Sequence, residues 1–255
     1  MAVMLDHVVA RMLALQVRLQ ACRQRLAADT DAEALHDLRT TLRRLRSLLR
    51  PLRGLPGIEE LEQAARSLGT LTTPLRDQEV LAGELMHRGY AEAGRQRLEA
   101  RPGTFASVAS SAQLKRVLAV LDALPPLLRA ANREGVTSGL ARRIDKRLLK
   151  QWRRLEAALK DPAHDRHRLR LLIKRVRYAA EAYPQLDHAE KKLQRLLKQG
   201  QQDLGNWHDR VQWLLQAGQQ RELAALRADW QKELEAAERQ ADVTLGQLQA
   251  VLRRR

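Results

Sequence analysis

An all-α fold is expected from three features of this 255-residue sequence. Glycine and proline are sparse, at 13 and 8 residues, while Leu, Ala, Arg and Gln dominate. Apolar residues recur at helical spacing nearly end to end, and Val and Ile never alternate with polar residues over a useful length. Short cap-and-break signals separate the periodic stretches. Helices are therefore expected over roughly 3–28, 31–52, 57–72, 74–100, 104–133, 137–160, 163–183, 185–203, 206–218 and 220–253. Thr30 or Asp31 is placed to cap the second helix, and Pro51, Gly54 and Pro56 end it. Thr73 followed by Pro74 reads as a cap with a first-turn proline. Asn206, three residues before Asp209, reads as an N-cap with an acidic first turn.

The sequence also repeats itself. His36-Asp37-Leu38-Arg39 returns as His167-Arg168-Leu169-Arg170, and Arg43-Arg44-Leu45-Arg46 returns as Lys174-Arg175-Val176-Arg177. The offset in this block is 167 − 36 = 131. Leu61 with Leu193, Arg66 with Lys198 and Asp77 with Asp209 follow at 132, the one-residue slip that a loop difference produces. Two homologous halves are expected, 1–133 and 134–255, as pseudo-symmetric helical bundles with a basic surface or channel between them.

Charge narrows the function. There are 46 Lys plus Arg against 30 Asp plus Glu, a formal net charge of +16. Only nine of the cations are Lys, so the charge is carried mostly by Arg, whose planar fork grips phosphate oxygens bidentately. The single cysteine, Cys22, gives no disulfide framework. The N-terminus lacks a basic leader region and carries Asp6 and Arg11 within its apolar stretch, so no signal peptide is expected. No run of about 18 apolar residues suggests a membrane span, and a cytoplasmic protein is expected.

On a helical wheel with His36 at zero, Arg39, Arg43, Arg46 and Arg50 fall at about 300°, 340°, 280° and 320°. Leu35, Leu38, Leu42, Leu45 and Leu49 fill the adjacent arc from about 180° to 260°. His167, Arg170, Lys174 and Arg177 repeat the cationic angles in the second copy, with Leu169, Ile173, Val176 and Ala180 as its apolar stripe. Like charges three and four residues apart repel. One such ridge is usually a solvated face, but two copies in the same phase point to a bound polyanion. From His36 to Arg50 the ridge runs about 21 Å at the helical rise, which suits an extended phosphate chain better than one small metabolite. Arg44 and Arg175 point off the ridge, towards either the same ligand or an acidic neighbour. Arg66 and Lys198 are second-helix candidates, with Arg18 and Lys150 as further repeat-matched cations.

At these residues the sequence resembles the CHAD family, the conserved histidine alpha-helical domain. The first motif stands as His36, Arg39, Arg43, Arg44, Leu45 and Arg46, the second as His167, Leu169, Arg170, Lys174, Arg175, Arg177, Tyr178 and Glu181. Arg76-Asp77 and Leu204-Gly205-Asn206-Trp207-His208-Asp209 resemble two further family elements. The resemblance implies a stand-alone, non-enzymatic module that binds inorganic polyphosphate and is associated with polyphosphate granules. Two departures stand out: His208 replaces the arginine expected from Arg76, and Glu181 stands where Arg50 extends the first ridge. The His36 copy is accordingly expected to bind more than the His167 copy.

No catalytic residues, metal ligands or cofactors are expected. No carboxylate cluster or nucleophile with its base supports a phosphohydrolase, and no His pair or His/carboxylate cluster has ligand spacing. Asp77 and Asp209 read as first-turn caps or arginine orienters, and the four Trp residues as packing groups. The alternative partner is RNA or DNA bound by a basic helix. It is disfavoured by an aromatic content of 3 % and by the lack of a nucleic-acid motif.

Overall fold

The computed structural model describes all residues except 1, 30, 32, 101–103, 162, 164, 188, 254 and 255. Among the described residues every regular element is helical. The chain divides into two compact units, Met1–Ile144 and Asp145–Arg255.

The first unit contains α1 (Ala2–Ala28), α2 (Ala34–Leu49), α3 (Ile58–Leu71), α4 (Thr73–His87), α5 (Ala91–Glu99), α6 (Phe105–Ser110) and α7 (Ala112–Arg133). Helix α8 (Leu140–Lys160) begins in this unit, and its greater part lies in the second. The second unit continues with α9 (Arg166–Ala182), α10 (Lys191–Gln219) and α11 (Arg227–Arg253).

Helix α2 buries Ala34, Leu35, Leu38, Thr41, Leu42, Leu45, Leu48 and Leu49, a wider dry arc than the leucine stripe alone. It packs on α1 and α3, where Val8, Met12, Leu19, Leu61, Ala65 and Leu68 complete the core. A 3-10 turn, Arg50–Leu52, follows α2, and another, Pro184–Leu186, follows α9. Gly57 then starts α3 with φ +74°. That left-handed backbone favours glycine, and a Cβ there would also press on Leu124 Cδ1 at 2.8 Å. In the second unit, Leu169, Leu172, Ile173 and Val176 of α9 pack with Leu193, Leu197 and Leu204 of α10 and Ala241, Leu245 and Leu248 of α11. Trp230 is fully buried and packs against Trp213, with ring centroids 5.6 Å apart.

Several expected boundaries move. The stretch 74–100 breaks at Gly89, which has φ +87° and donates to Met86 O while Tyr90 donates to Leu85 O, a left-handed helix stop. The stretch 104–133 breaks at Ser111, whose hydroxyl accepts from Leu114 N and caps α7. The stretch 220–253 opens as a 3-10 segment, Arg221–Leu226, before α11.

Three capping expectations are corrected. Asn206 is no cap: it lies inside α10, which starts at Lys191 and runs unbroken to Gln219 across the break expected between 203 and 206. Burial on both sides of this point, of Leu193, Leu197 and Leu204 before it and of Trp213 and Ala217 after it, overrides the weak propensity of Gly205-Asn206. Thr72 and Thr73 cap nothing forward; their hydroxyls donate back to Leu68 O (2.9 Å) and Gly69 O (2.8 Å) of α3. Asp31 accepts from Glu33 N at 2.8 Å and from Arg25 Nε at 2.5 Å, shaping the turn ahead of α2. Thr30 lies outside the described residues.

Candidate polyanion-binding site

In the first unit, α2 carries the cations because its dry arc fixes the helix rotation, leaving the ridge beside α3 and α4. Arg39, Arg43, Arg44, Arg46 and Arg50 are all half-buried, as is His36. Arg39 is the most engaged. Its Nη1 donates to Gly69 O (3.1 Å), Thr72 Oγ1 (2.9 Å) and Thr73 Oγ1 (3.1 Å) at the junction of α3 and α4. Carbonyls at a helix C-terminus lack intrahelical donors and carry the negative end of the macrodipole, so a cation fits there. Arg43 donates to Thr40 Oγ1 at 2.8 Å.

Helix α4 adds Arg76, which the wheel of α2 alone did not place in the site. Burial, then the charges of Arg76 and Arg43, hold His36 below the usual imidazole range. His36 is therefore neutral near pH 7 and serves as a hydrogen-bonding group rather than a fixed charge. Burial and then Arg43 likewise weaken the hold of Arg39 on its proton.

Acids from neighbouring helices temper this ridge. Glu62 of α3 is only 5 % exposed and accepts from Arg53 Nε (2.6 Å) and Nη2 (2.5 Å). Arg50 Nε lies 3.9 Å from the same carboxylate. Burial pushes the Glu62 carboxyl up, but the Arg53 hydrogen bonds and the charges of Arg53, Arg50 and Arg46 outweigh it and the net direction is down. Arg76 pairs with Glu79 at 3.0 Å. Asp77 feels Arg39 and Arg76, yet loss of water outweighs both and its carboxyl is raised. Asp37, beside His36, is held by Arg25 at 2.6 Å. The run of cations without an acid is therefore a property of α2 and not of its surroundings. Arg50 extends the ridge only alongside Glu62, which lessens the expected advantage of the first copy.

In the second unit, Asp165 caps α9 by accepting from His167 N at 2.9 Å. Arg170, Lys174, Arg175 and Arg177 are half-buried, and His167 is exposed. The His167 ring packs on His208 of α10, with centroids 5.3 Å apart. Burial, followed by the charges of Arg170, His167 and Lys174, drives His208 down to about 4. Arg177 pairs with Glu181 at 3.0 Å. Three acids of α11 are engaged elsewhere: Asp242 with Arg166 at 2.8 Å, Glu233 with Arg210 at 3.3 Å and Glu238 with Trp207 Nε1 at 3.3 Å. Arg66 and Lys198 are both exposed, on α3 and α10.

Each unit therefore gathers a histidine and two cations of one helix with a residue of a second helix: His36, Arg39 and Arg43 with Arg76, and His167, Arg170 and Lys174 with His208. Arg76 and His208 are not among the candidate ligands expected from sequence, although 208 − 76 = 132 matches the repeat. Among the described residues, no group of three or more His, Cys, Asp or Glu side chains could hold a metal ion. No helix is long and apolar enough to cross a membrane, again among the described residues.

The sequence pattern of the CHAD domain family matches residues 10–216. The chain belongs to the CHAD family. The crystal structure of the CHAD domain from the plant Ricinus communis is similar, with a TM-score of 0.71 and 24 % identity over 96 % of this chain and 90 % of that one. At that identity the likeness shows the all-α CHAD fold. No curated protein matches the chain. The CHAD motif residues expected from sequence thus lie on two helices of like construction, α2 and α9, each followed by a 3-10 turn.

Proposed function

We propose that this CHAD chain is a non-enzymatic binding module for inorganic polyphosphate, built of repeat halves 1–133 and 134–255. The ligands are His36, Arg39, Arg43, Arg44, Arg46, Arg50 and Arg66 in the first half. In the second they are His167, Arg170, Lys174, Arg175, Arg177 and Lys198. The observation that carries this reading is same-sign crowding in both units. Arg43 and Arg76 press on His36 and Arg39, while Arg170 and Lys174 press on His208. A polyanion relieves that repulsion in the bound state, and a chain of phosphates relieves it along a whole helix. Binding then needs no base readout and no metal. A cytoplasmic protein that gathers at polyphosphate granules follows from such binding.

The test is a titration with labelled long-chain polyphosphate at near-physiological salt, with duplex DNA and single-stranded RNA as competitors and phosphate release assayed alongside. Polyphosphate is expected to bind without hydrolysis and to resist both competitors. Log affinity should fall linearly with log salt, as ions released from the ligand require. Preference for either nucleic acid, or Mg²⁺-dependent phosphate release, contradicts the proposal.

A further inference from the structure

His208 stands where the repeat has a permanent cation, Arg76, and its setting within the second unit is specific. The ring is half-buried and packs on His167 at 5.3 Å and near Trp207 at 6.3 Å. It makes no hydrogen bond to another described residue. From α9 it faces Arg170, His167 and Lys174, all of which push the same way. On its own helix, Arg210 turns to Glu233 and stacks over Trp213 at 5.1 Å, and Asp209 adjoins it in sequence. From α11, Glu238 takes the Trp207 indole N–H and Glu233 takes Arg210. No acid is among the charges that bear on His208.

We propose that His208 is a further ligand of the phosphate chain, and that it gains a proton when the chain arrives beside His167, Arg170 and Lys174. Polyanion binding by the 145–255 unit is then coupled to proton uptake and tightens as pH falls. This inference rests on the polyphosphate reading above.

Without ligand, burial and then Arg170, His167 and Lys174 beside it keep the ring neutral, with a titration near 4. A phosphate oxyanion placed against it reverses the sign of the local field, because an opposite charge within hydrogen-bond reach favours the protonated ring. The proton added becomes a second N–H donor, so charge and hydrogen bond arrive together. In the first unit Arg76 supplies its charge at every pH, and no such coupling arises at that position. The free fold contributes in the same sense. A histidine held neutral loses stability as pH falls below its unfolded value of about 6.5, and ligand binding removes that loss.

Isothermal titration with long-chain inorganic polyphosphate, in two buffers of different ionisation enthalpy, measures the protons taken up. Wild type, His208→Gln and His208→Arg are compared from about pH 7.5 to about pH 5.5, with far-UV circular dichroism verifying the fold throughout. If bound His208 returns to about 6.5, its contribution to wild-type affinity rises about tenfold across that range. His208→Gln should take up about half a proton fewer than wild type near pH 6.5 and lose that part of the pH slope. His208→Arg should show the same flattened slope with tighter binding at about pH 7.5. His36 and His167 are present in all three proteins, so the difference reports residue 208 together with its coupling to the adjoining His167. Equal proton uptake by wild type and His208→Gln overturns the assignment while leaving polyphosphate binding intact. Failure of all three proteins to bind overturns the underlying reading as well.

Discussion

Arg39→Ala combined with Arg170→Ala weakens polyphosphate affinity about a hundredfold, since each removes a charge-assisted contact of at least about 1.4 kcal/mol. The slope of log affinity against log salt falls by roughly 1.4, at about 0.7 per phosphate contact on a single strand. Helical content is retained, because both side chains lie outside the leucine-rich arcs that hold α2 and α9 in place. The two substitutions are nevertheless unequal. Arg39 also donates to Gly69 O, Thr72 Oγ1 and Thr73 Oγ1, so its loss strips a donor from the C-terminal end of α3. A stability cost of about 1–3 kcal/mol is expected from that change, read as a melting temperature lower by roughly 5 °C. Fluorescence titration across a salt series, with thermal melts of each single variant, checks both parts. Unchanged affinity in the double variant shows that the binding surface lies elsewhere.

Glu62→Gln moves stability and binding in opposite directions. The Glu62 carboxylate is buried against Arg53, with Arg50 at 3.9 Å. Breaking a buried ion pair costs about 3–5 kcal/mol, but the Arg53 side chain is 49 % exposed and regains water. A loss of about 2 kcal/mol is therefore expected at neutral pH. Removing the carboxylate also removes the acid beside Arg46 and Arg50, so polyphosphate affinity rises a few-fold. The pH dependence fixes the cause. A carboxyl held below its unfolded value of about 4.3 stabilises the fold above that pH, and the stabilisation is lost as pH falls through the lower folded value. Urea unfolding at neutral pH and below about pH 4 should show the difference between wild type and Glu62→Gln shrinking with acidification. A difference independent of pH contradicts this origin.

Much of the fold was legible because helices that share a core carry a phase in their sequence. The leucines of α2 and the Leu169, Ile173 and Val176 stripe of α9 mark which way each helix turns, and the cations then follow by geometry. The Gly89 and Ser111 breaks carried ordinary stop and cap signals that the surrounding periodicity masked. Asn206 misled for the opposite reason: a local cap signal yielded to burial spread over the whole of α10. The candidate site was legible only as far as one helix could show it. Glu62 was a visible clue, an acid within the Ile58, Leu61, Ala65 and Leu68 stripe, yet its partners Arg53 and Arg50 come from the preceding turn. Its repeat counterpart is Gln194, so this acid belongs to the first copy alone. Arg76 and His208 reach the site from a second helix, which a wheel of α2 or α9 does not display.

Net charge alone could draw a +16 protein to any polyanion, and one comparison separates that from a specific ridge. Arg43→Glu with Lys174→Glu reverses one ridge cation in each unit. Arg129→Glu with Arg239→Glu reverses two exposed cations of α7 and α11 and gives the same net charge. Polyphosphate dissociation constants for the two double variants, measured at one near-physiological salt concentration, decide the matter. The ridge variant is expected to lose affinity by at least about a hundredfold while the control stays within a few-fold of wild type. Equal losses in the two variants would show that binding follows overall charge and that the duplicated ridge is not the site.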